Sequence, residues 1–190
     1  MTHAPLRPPR EINTGRLVLR SARAGDGPAL REAIAVSLDD FFPWLSFSAS
    51  LSDEATMEHV SRLAEERFAG GEFYVWRVWE PGGSLVGSVD LHTFNHAVPS
   101  CEIGYWLRSD RTGAGLATEF VTAVIEIARN TLNMHRIEAR CDDRNERAWR
   151  LAERLGFVFE GLARDDDRDA AGALCSTRVY ALLQGDAIIR

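Results

Sequence analysis

The sequence predicts one mixed α/β domain whose sheet begins as an antiparallel meander and then takes a helical crossover. Three observations predict it. FYVWRVWE (73–80), SLVGSVDLHTF (84–94) and SCEIGYWLR (100–108) are β-branched and aromatic runs separated only by short turns, as in successive hairpins. An amphipathic run from about 115 to 130 then separates the third of these from HRIEARCD (135–142), a spacing that suits a crossover helix. Seven strand-like and four helical stretches fill the 190 residues, with no internal repeat and no low-complexity linker.

Taken in order, Leu17, Leu19 and Ser21 alternate with Val18 and Arg20, so 16–21 is the first strand. Asp26 is placed to cap a helix from about Pro28 to Val36, with proline early in it. DDFFPWLSFS (39–48) reads as a loop or short helix, and its aromatics Phe41, Phe42, Trp44 and Phe47 pack over the core. Asp53 caps a second helix through about Phe68, ended by Gly70 and Gly71. The strands 73–80 and 84–94 are joined by Pro81-Gly82-Gly83, and the strand 100–108 follows. In the helix after it, Leu116, Phe120, Val121, Val124, Ile127 and Ala128 share the apolar face. Ile137, Ala139 and Cys141 share one face of the strand 135–142. Asn145 caps a helix to Leu155, where Gly156 stops it. FVFEGLAR (157–164) and TRVYALL (177–183) are the last two strands, with RDDDRDAAG as a polar loop between them. Residues 1–14 read as a disordered lead, 15–184 as the domain and 185–190 as a tail.

Composition excludes several classes. The net charge is −6 with no basic block, which speaks against nucleic acid as a partner. No apolar run approaches the ~20 residues of a membrane span, and the N-terminus has no signal-peptide core. Three cysteines, Cys101, Cys141 and Cys175, are too few and too odd for a disulfide framework, so a cytoplasmic location is expected. All 22 basic residues are arginine. A phosphate loop of the Walker type and Schiff-base catalysis both need a lysine, and neither is available.

The chemistry centres on RSDRTGAGLATEF (108–120), where Gly113 and Gly115 stand at the entrance to a helix. A helix start offers unpaired N–H groups and a positive dipole end, and bare glycines let an anion approach them. A tight turn with no ligand is the alternative. A second alternative is a dinucleotide fingerprint with Glu138 as the ribose contact, although Thr118 occupies the third glycine position. His92 and His96 have the spacing of a helical metal pair but fall at a strand end and loop without a third ligand, so no metal is expected.

Four stretches together resemble the GNAT superfamily of acetyl-CoA-dependent N-acetyltransferases, in the branch of the ribosomal-protein alanine N-acetyltransferases. They are GRLVLRSARAGDGPAL, CEIGYWLRSDRTGAGLATE, RIEARCDDRNERAWRLAERLGFVFEGLAR and TRVYALL, spanning about 15–184. The resemblance implies a GNAT-type fold: a mixed, mostly antiparallel sheet with helices on both faces. It implies that the backbone of Arg111, Thr112, Gly113, Ala114, Gly115, Leu116 and Ala117 holds the cofactor's pyrophosphate. It implies that Tyr105, Trp106 and Leu107 run beside the pantetheine arm and that Asn145 contacts the cofactor near its thiol. Glu102 matches the glutamate of the family's E-x-G-Y-W stretch and is the expected base. The family's usual proton donors are missing: Ala152 and Ala148 stand at their positions, so water or another side chain must serve. Ser176 stands where the branch carries an aspartate. The expected activity is acetyl transfer to a primary amine, a protein N-terminus or a small molecule, by direct attack in a ternary complex of a monomer or homodimer. A non-catalytic acyl-CoA-binding module is the rival expectation, and a dinucleotide-dependent oxidoreductase the third. The aspartates Asp165, Asp166 and Asp167 are candidates for drawing in a cationic acceptor.

Overall fold

The computed structural model describes residues 6–41, 44 and 53–189. Its elements are β1 (Glu11–Asn13), β2 (Val18–Ser21), α1 (Gly27–Ala35), α2 (Leu38–Phe41), α3 (Glu54–Gly70), β3 (Tyr74–Trp79), β4 (Leu85–Asn95), β5 (Ser100–Leu107), α4 (Leu116–Asn130), β6 (Arg136–Asp142), α5 (Glu146–Arg154), β7 (Val158–Arg168) and β8 (Leu174–Leu183). The strands form one sheet in the order β1-β2-β3-β4-β5-β6-β8-β7. Every neighbouring pair is antiparallel except β5 and β6, which α4 connects as a parallel crossover.

The antiparallel meander and the crossover therefore stand as the periodicity predicts, with one strand more and one short helix more. The extra strand, β1, lies inside the expected disordered lead. Three residues are too few to show a period. They are ordered by pairing Glu11 with Arg20 and by the Trp76 indole, which donates to the Pro9 carbonyl at 3.0 Å. The extra helix, α2, is the first part of the aromatic segment; Phe42 and Phe47 lie outside the described residues.

The larger correction is at the end of the chain. The acidic run read as a loop is the continuation of β7. Asp166 pairs with Arg140 of β6 at 3.2 Å and accepts from the Thr177 amide of β8. Asp169 closes the actual turn, accepting from the Ala171 and Ala173 amides. A charge run with cross-strand partners can pair as a strand despite its polarity.

One face of the sheet carries Trp76, Val89, Ile103, Ile137 and Tyr180 beneath α4 and α5. The other carries Val75 and Leu85 beneath α1 and α3, through Leu30, Ile34, Met57 and Ala64. Helix α4 buries Phe120, Val121, Val124 and Ala128 as predicted, but Ile125 rather than Ile127 completes the stripe. The caps follow suit at α3 and α5: Asp53 accepts from the Thr56 amide at 2.8 Å, and Asn145 from the Ala148 amide at 3.2 Å. Asp26 sits at the α1 cap position but gives its carboxylate to Arg20 at 2.7 Å instead. No described helix is long and apolar enough to cross a membrane.

Candidate active site

Two strands part where the site lies. The β5–β6 ladder joins Ser100, Cys101 and Glu102 to Arg136, Ile137 and Glu138, and goes no further. From Ile103 to Leu107, β5 stays paired with β4 only. Both strands run on in parallel toward helix starts, α4 after β5 and α5 after β6, so two helix N-termini flank the gap. A cleft of about 750 Å³ fills it.

Its floor and one wall are predicted residues. Tyr105, Trp106 and Leu107 line it from β5, Thr112, Gly113, Gly115, Leu116 and Ala117 from the turn and the start of α4, and Asn145 from the start of α5. The turn is left-handed at both glycines, with φ of +83° at Gly113 and +74° at Gly115. A β-carbon at Gly113 would meet nothing within 4 Å, so the backbone faces open space there, as an anion cradle requires. Arg111 and Ala114 point away from the cleft. The Arg111 guanidinium pairs with Glu80 at 3.0 Å and Asp110 at 2.9 Å, and the Ala114 carbonyl accepts from Arg16 at 2.8 Å.

That last contact belongs to a strap that the sequence does not reveal. Arg16, between β1 and β2, donates its Nε to Glu119 at 2.7 Å and its backbone N–H to the same carboxylate at 2.9 Å. Thr14 donates to it as well. Burial raises the Glu119 pKa, but these donors outweigh it and hold the carboxyl below the usual glutamate value. One arginine thus ties the glycine turn to the first turn of α4. Replacing Arg16 with alanine is expected to raise the apparent KM for the cofactor ~5- to 10-fold and leave kcat within about twofold. Arg16→Lys should recover part of the loss, and a steady-state titration of the cofactor reads both.

Glu102 lies outside the cleft lining. It stands three residues before Tyr105, about 10 Å along the strand, on the opposite face of the sheet from Tyr105. There it meets His92 of β4, whose Nε2 is 3.6 Å from the Glu102 carboxylate and whose Nδ1 is 2.8 Å from Asp90. Burial would lower the His92 pKa, but contacts with Asp90 and Glu102 raise it to about 9. The imidazolium in turn holds Glu102 below the usual glutamate value, against burial. Glu102 is therefore a carboxylate at neutral pH. His92 and His96 do not converge: His96 stacks on Phe94 at 6.1 Å. Among the described residues no three His, Cys, Asp or Glu side chains gather as a metal site.

The cysteines are free. Burial pushes Cys101 up to about 12 and Cys141 up to about 11, so both are held as thiols at neutral pH. The Tyr105 hydroxyl donates to the Ala148 carbonyl at 3.0 Å, and burial raises its pKa, so it stays protonated and occupied. Four arginines also line the cleft, Arg144 of the β6–α5 connection and Arg147, Arg150 and Arg154 of α5. Arg144 lies over the Trp44 ring at 5.8 Å and pairs with Asp142 and Asp169. The helical three were legible only as a spacing on one helix face, which on a surface helix reads as solvation.

Comparison with known proteins bears on this arrangement. The acetyltransferase (GNAT) domain family matches residues 16–158. The Bacillus subtilis protein named Probable N-acetyltransferase YjcK is 35% identical over 152 residues, 77% of this chain and 83% of that protein. The [Ribosomal protein uS5]-alanine N-acetyltransferase of Escherichia coli is 27% identical over 83% of both chains. With YdaF of Bacillus subtilis the 35% match spans 45% of that protein, about half its length. Among solved structures, Mycobacterium smegmatis RimJ in complex with CoA-disulfide superposes with a TM-score of 0.81 at 23% identity, covering 95% of this chain and 86% of that one.

Proposed function

The chain belongs to the GNAT acetyltransferase family, and from that premise we propose how it works as an acetyl-CoA-dependent N-acetyltransferase and on what. The observation that carries the reading is the union of a splayed parallel strand pair with a left-handed glycine turn at a helix start, around one cleft. Backbone N–H groups from Gly113 to Ala117 take the pyrophosphate at the positive end of α4. The edge of β5 from Tyr105 to Leu107 takes the pantetheine arm as a strand would be taken, and Asn145 sits at the thiol end. One backbone N–H of β5 polarises the thioester carbonyl.

The acceptor is a primary amine, and a protein N-terminal amine is the one we propose, in keeping with the uS5-alanine N-acetyltransferase among the relatives. The neutral amine attacks the thioester carbonyl directly. The N–C bond forms, the C–S bond breaks, the amine proton passes to Glu102 through water, and the departing thiolate takes a proton from solvent. Water is the donor because Tyr105 is engaged with Ala148 and both cysteines are held protonated for want of solvation. The absence of a thiolate also favours direct attack over an acyl-cysteine intermediate.

The test is thiol release from acetyl-CoA with a panel of N-terminal peptides and small polyamines. Release with peptides supports the reading; release with polyamines alone moves the acceptor to the small-molecule class. Coenzyme A binding with no release to any amine would make the protein a binding module. The pH profile gives a second check. Glu102 is ionised well below neutrality, so the rising limb of kcat/KM should follow the acceptor amine. It should move upward by ~2 units between a peptide α-amine and an alkylamine, whose reference values are about 8 and 10.4.

A further inference from the structure

The cleft holds more positive charge than a pyrophosphate at the glycine turn accounts for. Across from Ala117 and Thr118 at the start of α4, helix α5 lines the groove with Arg147, Arg150, Leu151 and Arg154. These positions share one side of a helix, and Arg150 and Arg154 are one turn apart, close enough to bracket a single anion. Their own commitments are slight. Arg150 meets Glu146 at 2.9 Å in a pair where both side chains are 62% exposed, the kind that contributes little in water. Arg154 has no acidic partner among the described residues. Arg147 pairs at 3.3 Å with Asp40, which lines the same cleft.

Two guanidinium forks of this kind suit a phosphate monoester, a near-dianion with three acceptor oxygens. Coenzyme A carries such a group besides its pyrophosphate: the phosphate on the 3′ oxygen of its ribose. The glycine turn and the arginines line one cleft from facing helices, α4 and α5, and in coenzyme A a single ribose separates the 3′-phosphate from the pyrophosphate. We propose that Arg150 and Arg154 form a subsite for the 3′-phosphate of coenzyme A. The enzyme thereby selects acyl groups borne on coenzyme A over those on its 3′-dephospho form or on a phosphopantetheine arm alone. This rests on the acetyl-CoA reading of the cleft.

The experiment is a cycle of ligand and protein variants. Wild type, Arg150→Gln, Arg154→Gln and the double variant are each assayed with acetyl-CoA and with 3′-dephospho-acetyl-CoA. Wild type should favour acetyl-CoA by ~10- to 100-fold in kcat/KM, mostly through KM, the range expected for a pair of charge-assisted contacts. The double variant should discriminate by less than about threefold, with the two single variants between. The wild-type preference should also shrink as salt rises, because the groups are exposed. Equal use of both compounds by wild type, or an undiminished preference in the double variant, would overturn the subsite while leaving acetyl-CoA binding intact. Calorimetry showing that neither compound binds would instead remove the acetyl-CoA reading, and the subsite with it. Thermal melts identify any variant that fails to fold, and the single variants then carry the comparison.

Discussion

Glu102→Gln is expected to lower turnover by ~10²-fold or more while leaving acetyl-CoA affinity nearly unchanged. The side chain lies off the cofactor cleft, on the sheet face opposite Tyr105, so the change removes a proton acceptor without touching a proposed cofactor contact. Glutamine keeps the shape beside His92 but cannot take a proton from the amine. The surroundings sharpen the test. Glu102 is held as a carboxylate by the His92 imidazolium and the charge of Arg140, beside the β5–β6 gap. On the proposed mechanism the neutral amine would attack and pass its proton through water to this carboxylate as the N–C bond forms. As pH rises through about 9 His92 loses its charge and its hold on Glu102 relaxes. The raised His92 pKa also means that this ion pair stabilises the fold fully below the ordinary histidine range and loses that contribution as pH climbs through about 9. Full turnover by Glu102→Gln across the pH range would assign the carboxylate to holding His92 in place and leave the amine to deprotonate in bulk water.

Gly115→Val should weaken coenzyme A binding by about 10²-fold, read by calorimetry, in a protein that still melts cooperatively. Gly115 has φ of +74° and its missing β-carbon would meet only Arg16 Nη2, at 3.8 Å. There is no clash with the fold. The cost is backbone, because a β-branched residue resists the left-handed region by roughly 1–2 kcal/mol or more. The turn relieves that strain by rotating, which withdraws the N–H groups aimed at the cleft, and a branched side chain then stands at the helix start. Arg16 and Glu119 keep α4 attached, so the loss appears in affinity rather than in folding. Coenzyme A affinity equal to wild type in a folded variant would place the pyrophosphate elsewhere.

What could be read from the sequence was local. The glycine turn, the Asn145 cap and the apolar stripe of α4 each occupy a few neighbouring residues, and each is found where its spacing places it. Ile125 takes the place of Ile127 in that stripe because it stands four residues after Val121 and three before Ala128, the spacing of one helix face. What escaped was set by partners far along the chain. Arg16 and Glu119 are 103 residues apart and neither belongs to a pattern. His92 drew notice as one of a histidine pair, yet its partners are Asp90 beside it on β4 and Glu102 on the next strand, which only the register reveals. The acidic run became strand rather than loop because Arg140 and the Thr177 amide on neighbouring strands receive Asp166.

The short ladder between β5 and β6 has a consequence for the protein as a mechanical object. Three residue pairs and α4 are the principal stitching between a five-stranded unit, β1 to β5, and a three-stranded one, β6 to β8. The backbone pairing thins to a narrow seam there, while the core beneath α4 and α5 runs unbroken across it from Trp76 and Ile103 to Ile137 and Tyr180. On the proposed reading, the pantetheine arm laid along the free edge of β5 would bridge that seam from inside, standing in for the strand pairing that ends at Glu102 and Glu138. Bound coenzyme A is then expected to slow hydrogen exchange at the β5 and β6 amides beyond those two residues, so that part of the sheet's rigidity would come and go with the ligand.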